Sequence, residues 1–289
     1  MTQELLPPLD KGDVARSWKI RSGPWNRWAG YMERMAERFN QPLLDAARVA
    51  EGHDVLDLAS GVGEPALSAA RRVGAEGSVT ATDLVAEMLD GTRRRAAEAG
   101  LANMKFETAD MEALPFTEAS FDRVTCRFGI MFSSDPFKAA REVHRVLKPG
   151  GRCAWMVWGP MADTTLFDVI QRTVRAALDL PADPDLPQFR FGPAGLLADV
   201  LGRAGFVDVA EEELWFHPKP AKGERFWEAN LEMSFAADLA DLSDDRRAAV
   251  DRAVAAGFDD HLDGDAYALS AHVRIGIGVR AVRGETDGA

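Results

Sequence analysis

The chain has 289 residues, of which 34 are Lys or Arg and 46 are Asp or Glu, giving a formal net charge of −12; 46% are apolar and 28% charged. These are the proportions of a globular protein long enough to bury a full core, as one large domain or a domain with an appended lid. The acidic balance weighs against a nucleic-acid partner, which needs basic clusters, and no apolar run approaches the ~18 residues of a membrane-spanning helix.

Residues 1–12 are polar with Pro7 and Pro8 and read as a loose arm without the pattern of a secretory signal, so a soluble cytoplasmic chain is expected. Met32, Met35, Phe39, Leu43 and Ala47 then recur at helical spacing, with Trp25, Trp28 and Tyr31 just upstream. A regular alternation follows. Strands are predicted at 54–59, 78–82, 104–108, 121–127 and 152–158, and helices at 65–73, 86–99 and 136–147, with a shorter segment at 111–119. Gly100 and the Pro149-Gly150-Gly151 run supply the stops. Strand–helix alternation of this kind implies an α/β fold, a parallel sheet with helices on both faces. Cys126 and Cys153 both fall in strand-like apolar runs and have none of the spacings of a metal site.

The second half reads as a helix near 164–178, a Pro-rich turn at 181–187, a helix opened by Gly192-Pro193 and running through Arg203, and a strand at 206–216. Residues 223–263 carry little strand character; Val250, Val254, Phe258 and Leu262 form an apolar stripe on a helix. The acidic run from Asp238 to Asp265 reads as a solvated face. Residues 267–281 alternate cleanly, with Leu269, Ala271, Val273, Ile275, Ile277 and Val279 on one face of a final long strand.

Chemistry concentrates at strand ends. The run VLDLASGVGEP (55–65) takes a strand into a small-residue turn, where Gly61 and Gly63 let a ligand approach the backbone, and Pro65 suits the first turn of a helix. Asp57 can fix the turn or accept from a cationic group. The A-x-G-x-G spacing is not the dinucleotide fingerprint, because the third glycine is missing. Asp83 closes the second strand, where a carboxylate holds a ribose diol. Asp110 closes the third and can accept from an exocyclic amine while Met111 packs on a ring face. Each Asp alone suits a helix N-cap; three in register at successive strand ends describe a pocket for adenosine.

The stretches VLDLASGVGEPAL (55–67), TATDLVAEML (80–89), FETADMEALPF (106–116), FDRVTCRFGIMF (121–132) and REVHRVLKPGGR (141–152) resemble class I S-adenosylmethionine-dependent methyltransferases, of the group similar to the quinone-biosynthesis C-methyltransferases. The resemblance implies a doubly wound, seven-stranded, mostly parallel Rossmann-like sheet with an antiparallel last strand, and S-adenosyl-L-methionine as cofactor. It implies that Gly61 and Gly63 lie under the methionine part, that Asp57 and Ser60 belong to the same cofactor-binding turn, that Asp83 holds the ribose hydroxyls, and that Leu84 and Met88 touch adenine or ribose. Asp110 and Met111 would take the adenine, with Arg127 and Phe128 lining the site past the fourth strand. Two departures narrow the substrate. Gly129 is followed by Ile130-Met131-Phe132, not the Gly-Leu-Arg-Asn run of quinone C-methyltransferases, and Cys126-Arg127-Phe128-Gly129 is unlike the Asp/Asn-Pro-Pro-Tyr run of DNA amino-methylating enzymes.

The expected organisation is an N-terminal helical cap (1–50), a cofactor-binding half (51–160), a second α/β half (161–222), a helical insertion acting as lid (223–263), and a final strand and tail (264–289). Trp18, Trp25, Trp28 and Tyr31 are read either as an aromatic wall over the site or as pins holding the cap; Trp215, Phe216, Phe226, Trp227, Met233 and Phe235 are read either as insertion core or as the wall of an apolar pocket. Tyr31, His217 and His272 are the residues that could act as a base, and none is singled out, because methyl transfer needs alignment more than proton removal. The function expected is methyl transfer to oxygen or carbon of a small, fairly apolar molecule. The alternative is a methyltransferase-like sensor or assembly factor that binds the cofactor without turnover.

Overall fold

A computed structural model describes residues 6–181 and 186–282. Two helices, α1 (Lys11–Arg27) and α2 (Ala29–Ala46), precede β1 (Asp54–Leu58), α3 (Ala66–Val73), β2 (Ser78–Asp83), α4 (Ala86–Glu98) and β3 (Met104–Thr108). Then come β4 (Phe121–Arg127), α5 (Pro136–Val146), β5 (Leu147–Trp158), α6 (Thr165–Ala177), α7 (Leu196–Arg203) and β6 (Val207–Phe216). Helices α8 (Glu228–Ser234), α9 (Ala236–Ala240) and α10 (Asp244–Gly257), with a short hairpin pairing Leu262–Asp263 to Ala266–Tyr267, lead to β7 (Ala271–Val279). The sheet order is β3-β2-β1-β4-β5-β7-β6. Its strands are parallel except β7, which runs antiparallel to both of its neighbours.

The period-2 alternation of the central strands sorts the core into two layers. Leu56, Leu58, Val124, Cys126, Cys153, Trp155 and Val157 face α5 and α7, while Val55, Val79, Ala81, Ala154, Met156, Val273, Ile275 and Ile277 face α2, α3 and α4. Both cysteines are free, and burial pushes their thiols up to about 12. A third apolar cluster lies outside the sheet. There the stripe Val250, Val254 and Phe258 of α10 packs on Val169, Ile170 and Val174 of α6, with Phe226, Trp227, Leu231 and Phe235 beside it. Most aspartates from Asp238 to Asp265 are exposed; Asp251 is half-buried and accepts from Arg225 and Trp227.

Several elements differ from their sequence patterns. Among the described residues of the arm, Leu6 is buried in the core, and the carbonyls of Pro7 and Leu9 accept from Arg190 and Ser134, so this part of the arm is fastened and not loose. Residues 111–119 form turns and no helix: Pro115 lacks an N–H, and α5 side chains satisfy the backbone, with Arg145 donating to the Leu114 and Phe116 carbonyls and Glu142 accepting from Leu114 N–H. Helix α7 begins at Leu196, after Gly195 turns the chain with φ 80°. The last strand starts at Ala271, because Tyr267 is drawn into the hairpin with Leu262. Part of the Pro-rich turn (182–185), the first five residues and the tail from 283 lie outside the described residues. Among the described residues no helix is long and apolar enough to cross a membrane.

Candidate functional site

A cavity of about 530 Å³ opens at the carboxyl ends of β1, β2, β3, β4 and β5, where open α/β sheets bind ligands. Its floor is made by consecutive strand ends. Ser60 and Gly61 follow β1, Asp83 and Leu84 end β2, Asp110 and Met111 follow β3, and Arg127 and Phe128 end β4; Met88 comes up from α4. Nine of the eleven sequence-predicted site residues therefore meet at one cavity, and Asp57 and Gly63 do not line it.

Gly61 turns the chain with φ 55°, which presents its N–H to Asp83 Oδ2 at 3.0 Å. The other oxygen, Oδ1, accepts from Val85 N–H at 2.9 Å. Burial pushes the Asp83 carboxyl up to about 6, against the pull of these N–H groups. A carboxylate offers about four acceptor directions, so two remain for a diol. Asp110 uses Oδ1 to accept from Glu112 N–H at 2.9 Å, and Oδ2 meets Lys11 Nζ of α1 at 2.6 Å.

Asp57 lies one layer deeper. It sits opposite Ala81 and Thr125 inside the sheet, fully buried, with Oδ1 taking the Thr125 hydroxyl at 2.6 Å and Oδ2 unmet. Burial pushes its carboxyl up to about 7. It acts on the floor from beneath and touches no ligand space. Gly63 serves packing: with φ 120°, a side chain there would stand 2.7 Å from Leu67 Cδ1.

Residues the motifs did not point to complete the site. On α2, Asn40 is buried; its amide donates to Glu64 Oε2 at 2.7 Å and to Ser68 Oγ at 3.0 Å, and its oxygen accepts from Arg127 Nη1 at 3.0 Å. Glu64 in turn takes Arg95 Nη2 at 2.6 Å. Asn40 falls on the buried stripe with Ala36 and Leu43, and a polar residue there is the signal that marks it. Lys11 also reaches Glu112 at 2.8 Å, whose other oxygen collects Ser133 Oγ and the N–H groups of Ser134 and Asp135. Two carboxylates thus hold Lys11; burial opposes its charge and the ion pairs outweigh it, raising the pKa.

The other wall is aromatic. Phe128, held at φ 57°, stacks on Trp158 with centroids 4.1 Å apart and planes 4° apart. Phe39 meets both edge-on and lies 4.7 Å from Phe216, and Phe167 meets Trp158 at 5.1 Å. The two aromatic groups of the sequence divide. Trp18, Trp25 and Tyr31 line the cavity with Phe216, Phe226 and Met233, whereas Trp28 is tied through Nε1 to Glu232 of α8, and Trp227 and Phe235 are core of the outer cluster. Trp215 is exposed on the edge strand and stacked on His272.

None of the three residues considered as a base is set up as one. His217 is exposed and off the cavity; His272 is covered by Trp215 and held at Nδ1 by Asp163 at 2.9 Å. The Tyr31 hydroxyl donates to the Phe226 carbonyl at 3.4 Å, and burial, with Glu224 nearby, raises its pKa, which makes it a donor.

Residues 55–151, which run from β1 into β5, match a family model of a methyltransferase domain. Over this stretch the fold and the row of strand-end residues are similar to those of class I methyltransferases. Over it the chain is similar to ubiquinone/menaquinone biosynthesis C-methyltransferases. That of Cellvibrio japonicus is 40% identical over 125 residues, 43% of this chain and 49% of the relative. The chain thus spans about half the length of the curated relatives it matches. Among solved structures, the cyclase SpnF aligns with a TM-score of 0.62 at 20% identity, covering 96% of this chain and 99% of that one. Phosphoethanolamine N-methyltransferase 2 of Haemonchus contortus, solved with S-adenosyl-L-methionine, aligns with a TM-score of 0.54 at 20% identity over 84% of this chain and 52% of that one. Both likenesses are of fold.

Proposed function

We propose that the chain is an S-adenosyl-L-methionine-dependent methyltransferase acting on oxygen or carbon of a small, fairly apolar acceptor. One observation carries the reading: a single cavity joins the acidic row Asp110–Asp83, at the ends of adjacent strands, to the wall of Phe128, Trp158, Phe39 and Phe167. The cofactor, when bound, supplies an electrophilic methyl on a sulfonium. Asp83 accepts the ribose hydroxyls, the backbone at Gly61 allows close approach, and Met88, Leu84 and Met111 provide apolar contact for the ring. Asp110, turned from Lys11 or sharing it, accepts from the exocyclic amine.

The protein's share of the chemistry is alignment and exclusion of water. The helices α1 and α2 and the segment 223–263 act as cover. Lys11 fastens α1 to the β3 loop, and Arg27 and Trp28 hold Glu232 of α8 at 2.7 and 2.9 Å. The aromatic wall receives a flat apolar acceptor. Carbon methylation of a quinone precursor, the chemistry in the relatives' names, is one member of that class. The run Ile130-Met131-Phe132 beside the cavity supports an acceptor other than theirs. Release of S-adenosylhomocysteine over a panel of phenols, enols and quinols tests the reading; binding without release from any of them would overturn it.

A further inference from the structure

Helix α1 turns one stripe toward the cavity: Val14, Trp18, Arg21 and Trp25, at spacings of four, three and four. No residue of α1 is fully buried, so this stripe covers ligand space and no packed core. An arginine stands where the pattern calls for an apolar side chain. It is half-buried, and among the described residues it donates no hydrogen bond and is in no ion pair. Asp238 of α9 is a more distant, exposed neighbour, and the Trp18 ring centroid lies 5.5 Å from Cζ. A ring covers a face of the guanidinium, whereas its N–H groups point out in the plane, so Trp18 steadies the fork and uses none of its donors. The cavity's other cations are engaged or exposed: Lys11 is held by Asp110 and Glu112, Arg127 donates to Asn40, and Arg38 and Lys219 are open to solvent.

The run from α1 into α2 lies antiparallel to the insertion: Trp28 meets Glu232 of α8 and Tyr31 meets the Phe226 carbonyl before it, while Asp238 of α9 acts on Arg21. Between those points Asn230 and Ser234, one turn apart on α8, line the cavity and bond to no described residue. Arg21 therefore belongs to the cover, beside 223–263, and not to the strand-end row read as the cofactor's floor. Resting on the methyltransferase reading above, we infer that Arg21 binds a carboxylate carried by the acceptor, with Asn230 and Ser234 as neutral partners along the same seam. The preferred acceptors are then flat aromatic acids, whose ring lies against Phe128 and Trp158 while the carboxylate turns to the cover. A planar fork matches a carboxylate with two parallel hydrogen bonds. One fork answers a single negative charge, and the exposed aspartates from Asp238 onward disfavour a group that carries two.

Calorimetry on the protein saturated with S-adenosylhomocysteine tests this without turnover. The probes are salicylate, coumarate and caffeate, each beside its methyl ester, which keeps the ring and loses the charge. Wild type is expected to bind at least one acid about 10- to 100-fold more tightly than its ester. Arg21→Met is expected to remove that preference while S-adenosylhomocysteine stays within about 3-fold. Arg21→Lys, which keeps the charge without the fork, should fall between the two. Absence of any acid that outbinds its ester in wild type overturns the inference, and so does a preference that survives in Arg21→Met. A loss of S-adenosylhomocysteine equal to the loss of acid also overturns it, and gives Arg21 to the cofactor's own carboxylate. A wild-type protein that does not bind S-adenosylhomocysteine fails earlier and differently, by removing the cofactor reading on which the inference rests.

Discussion

Asp83 is where the account is most exposed to measurement. Its two oxygens already take Gly61 N–H at 3.0 Å and Val85 N–H at 2.9 Å, which aims the carboxylate's remaining lone pairs at the cavity. Two ribose hydroxyls donating to an ionised carboxylate contribute roughly 1.5–3 kcal/mol each. Loss of both amounts to about 3–6 kcal/mol, or a 10²- to 10⁴-fold weaker Kd, at 1.4 kcal/mol per decade. Asp83→Ala is expected in that range. Asp83→Asn preserves shape and one acceptor oxygen and is expected to lose about one bond, ~10- to 100-fold. Calorimetric titration with S-adenosylhomocysteine reads both, with circular dichroism to confirm folding. Proton linkage adds an independent signature. The carboxyl of the unliganded protein sits at about 6, and the ligand requires it ionised, so affinity should be flat above pH 7 and fall toward tenfold per unit below 6. Asp83→Asn should lose that dependence. Folded Asp83 variants that bind within about 3-fold of wild type, with the same pH profile, would refute the ribose assignment.

Three further outcomes follow from neighbouring geometry. Asp57 titrates at about 7 when folded and near 4 when unfolded, so between these values the folded state holds the extra proton and stability falls as pH rises. Asp57→Asn should therefore raise Tm at pH 8 and lose that gain at pH 5; an equal effect at both pH values would contradict the burial argument. Lys11→Met removes ion pairs of 2.6 and 2.8 Å to Asp110 and Glu112, and α1 amides should exchange hydrogen about tenfold faster while β1 and β4 are unchanged, whereas unaltered α1 exchange would show that the pairs do not fasten the cap. A side chain at Gly129 would stand 2.4 Å from Ala59 Cβ and 2.9 Å from Cys126 Sγ, so Gly129→Ala should cost about 1–3 kcal/mol in denaturant melts, partly restored by Ala59→Gly. A wild-type midpoint in Gly129→Ala would contradict the tight β1–β4 contact.

The floor of the site was legible because its residues are local to strand ends. Asp83 and Arg127 close β2 and β4, and Asp110 and Gly61 come two and three residues after β3 and β1, so strand prediction carries them to the same edge. The motif sets Asp57 at the turn, because position in the motif does not reveal which face of the strand it takes; its pairing with Thr125 puts it one layer deeper. The cover was less legible. Lys11 meets Asp110 across 99 residues, and Asn40 meets Arg127 across 87, and no spacing announces contacts of that range. Likewise the period-2 run from Tyr267 continues smoothly in sequence, yet its first residues pair with Leu262 and leave the main sheet, a choice made by tertiary packing in the outer cluster.

The most direct test of the central claim follows the methyl group itself. Purified protein is incubated with methyl-labelled S-adenosyl-L-methionine and small phenolic, enolic and quinol acceptors. The account predicts label on oxygen or carbon of at least one acceptor, with S-adenosylhomocysteine in equal amount and both lost in Asp83→Ala. Tight cofactor binding with no label transferred to any acceptor would contradict it and leave a protein that binds the cofactor without turnover.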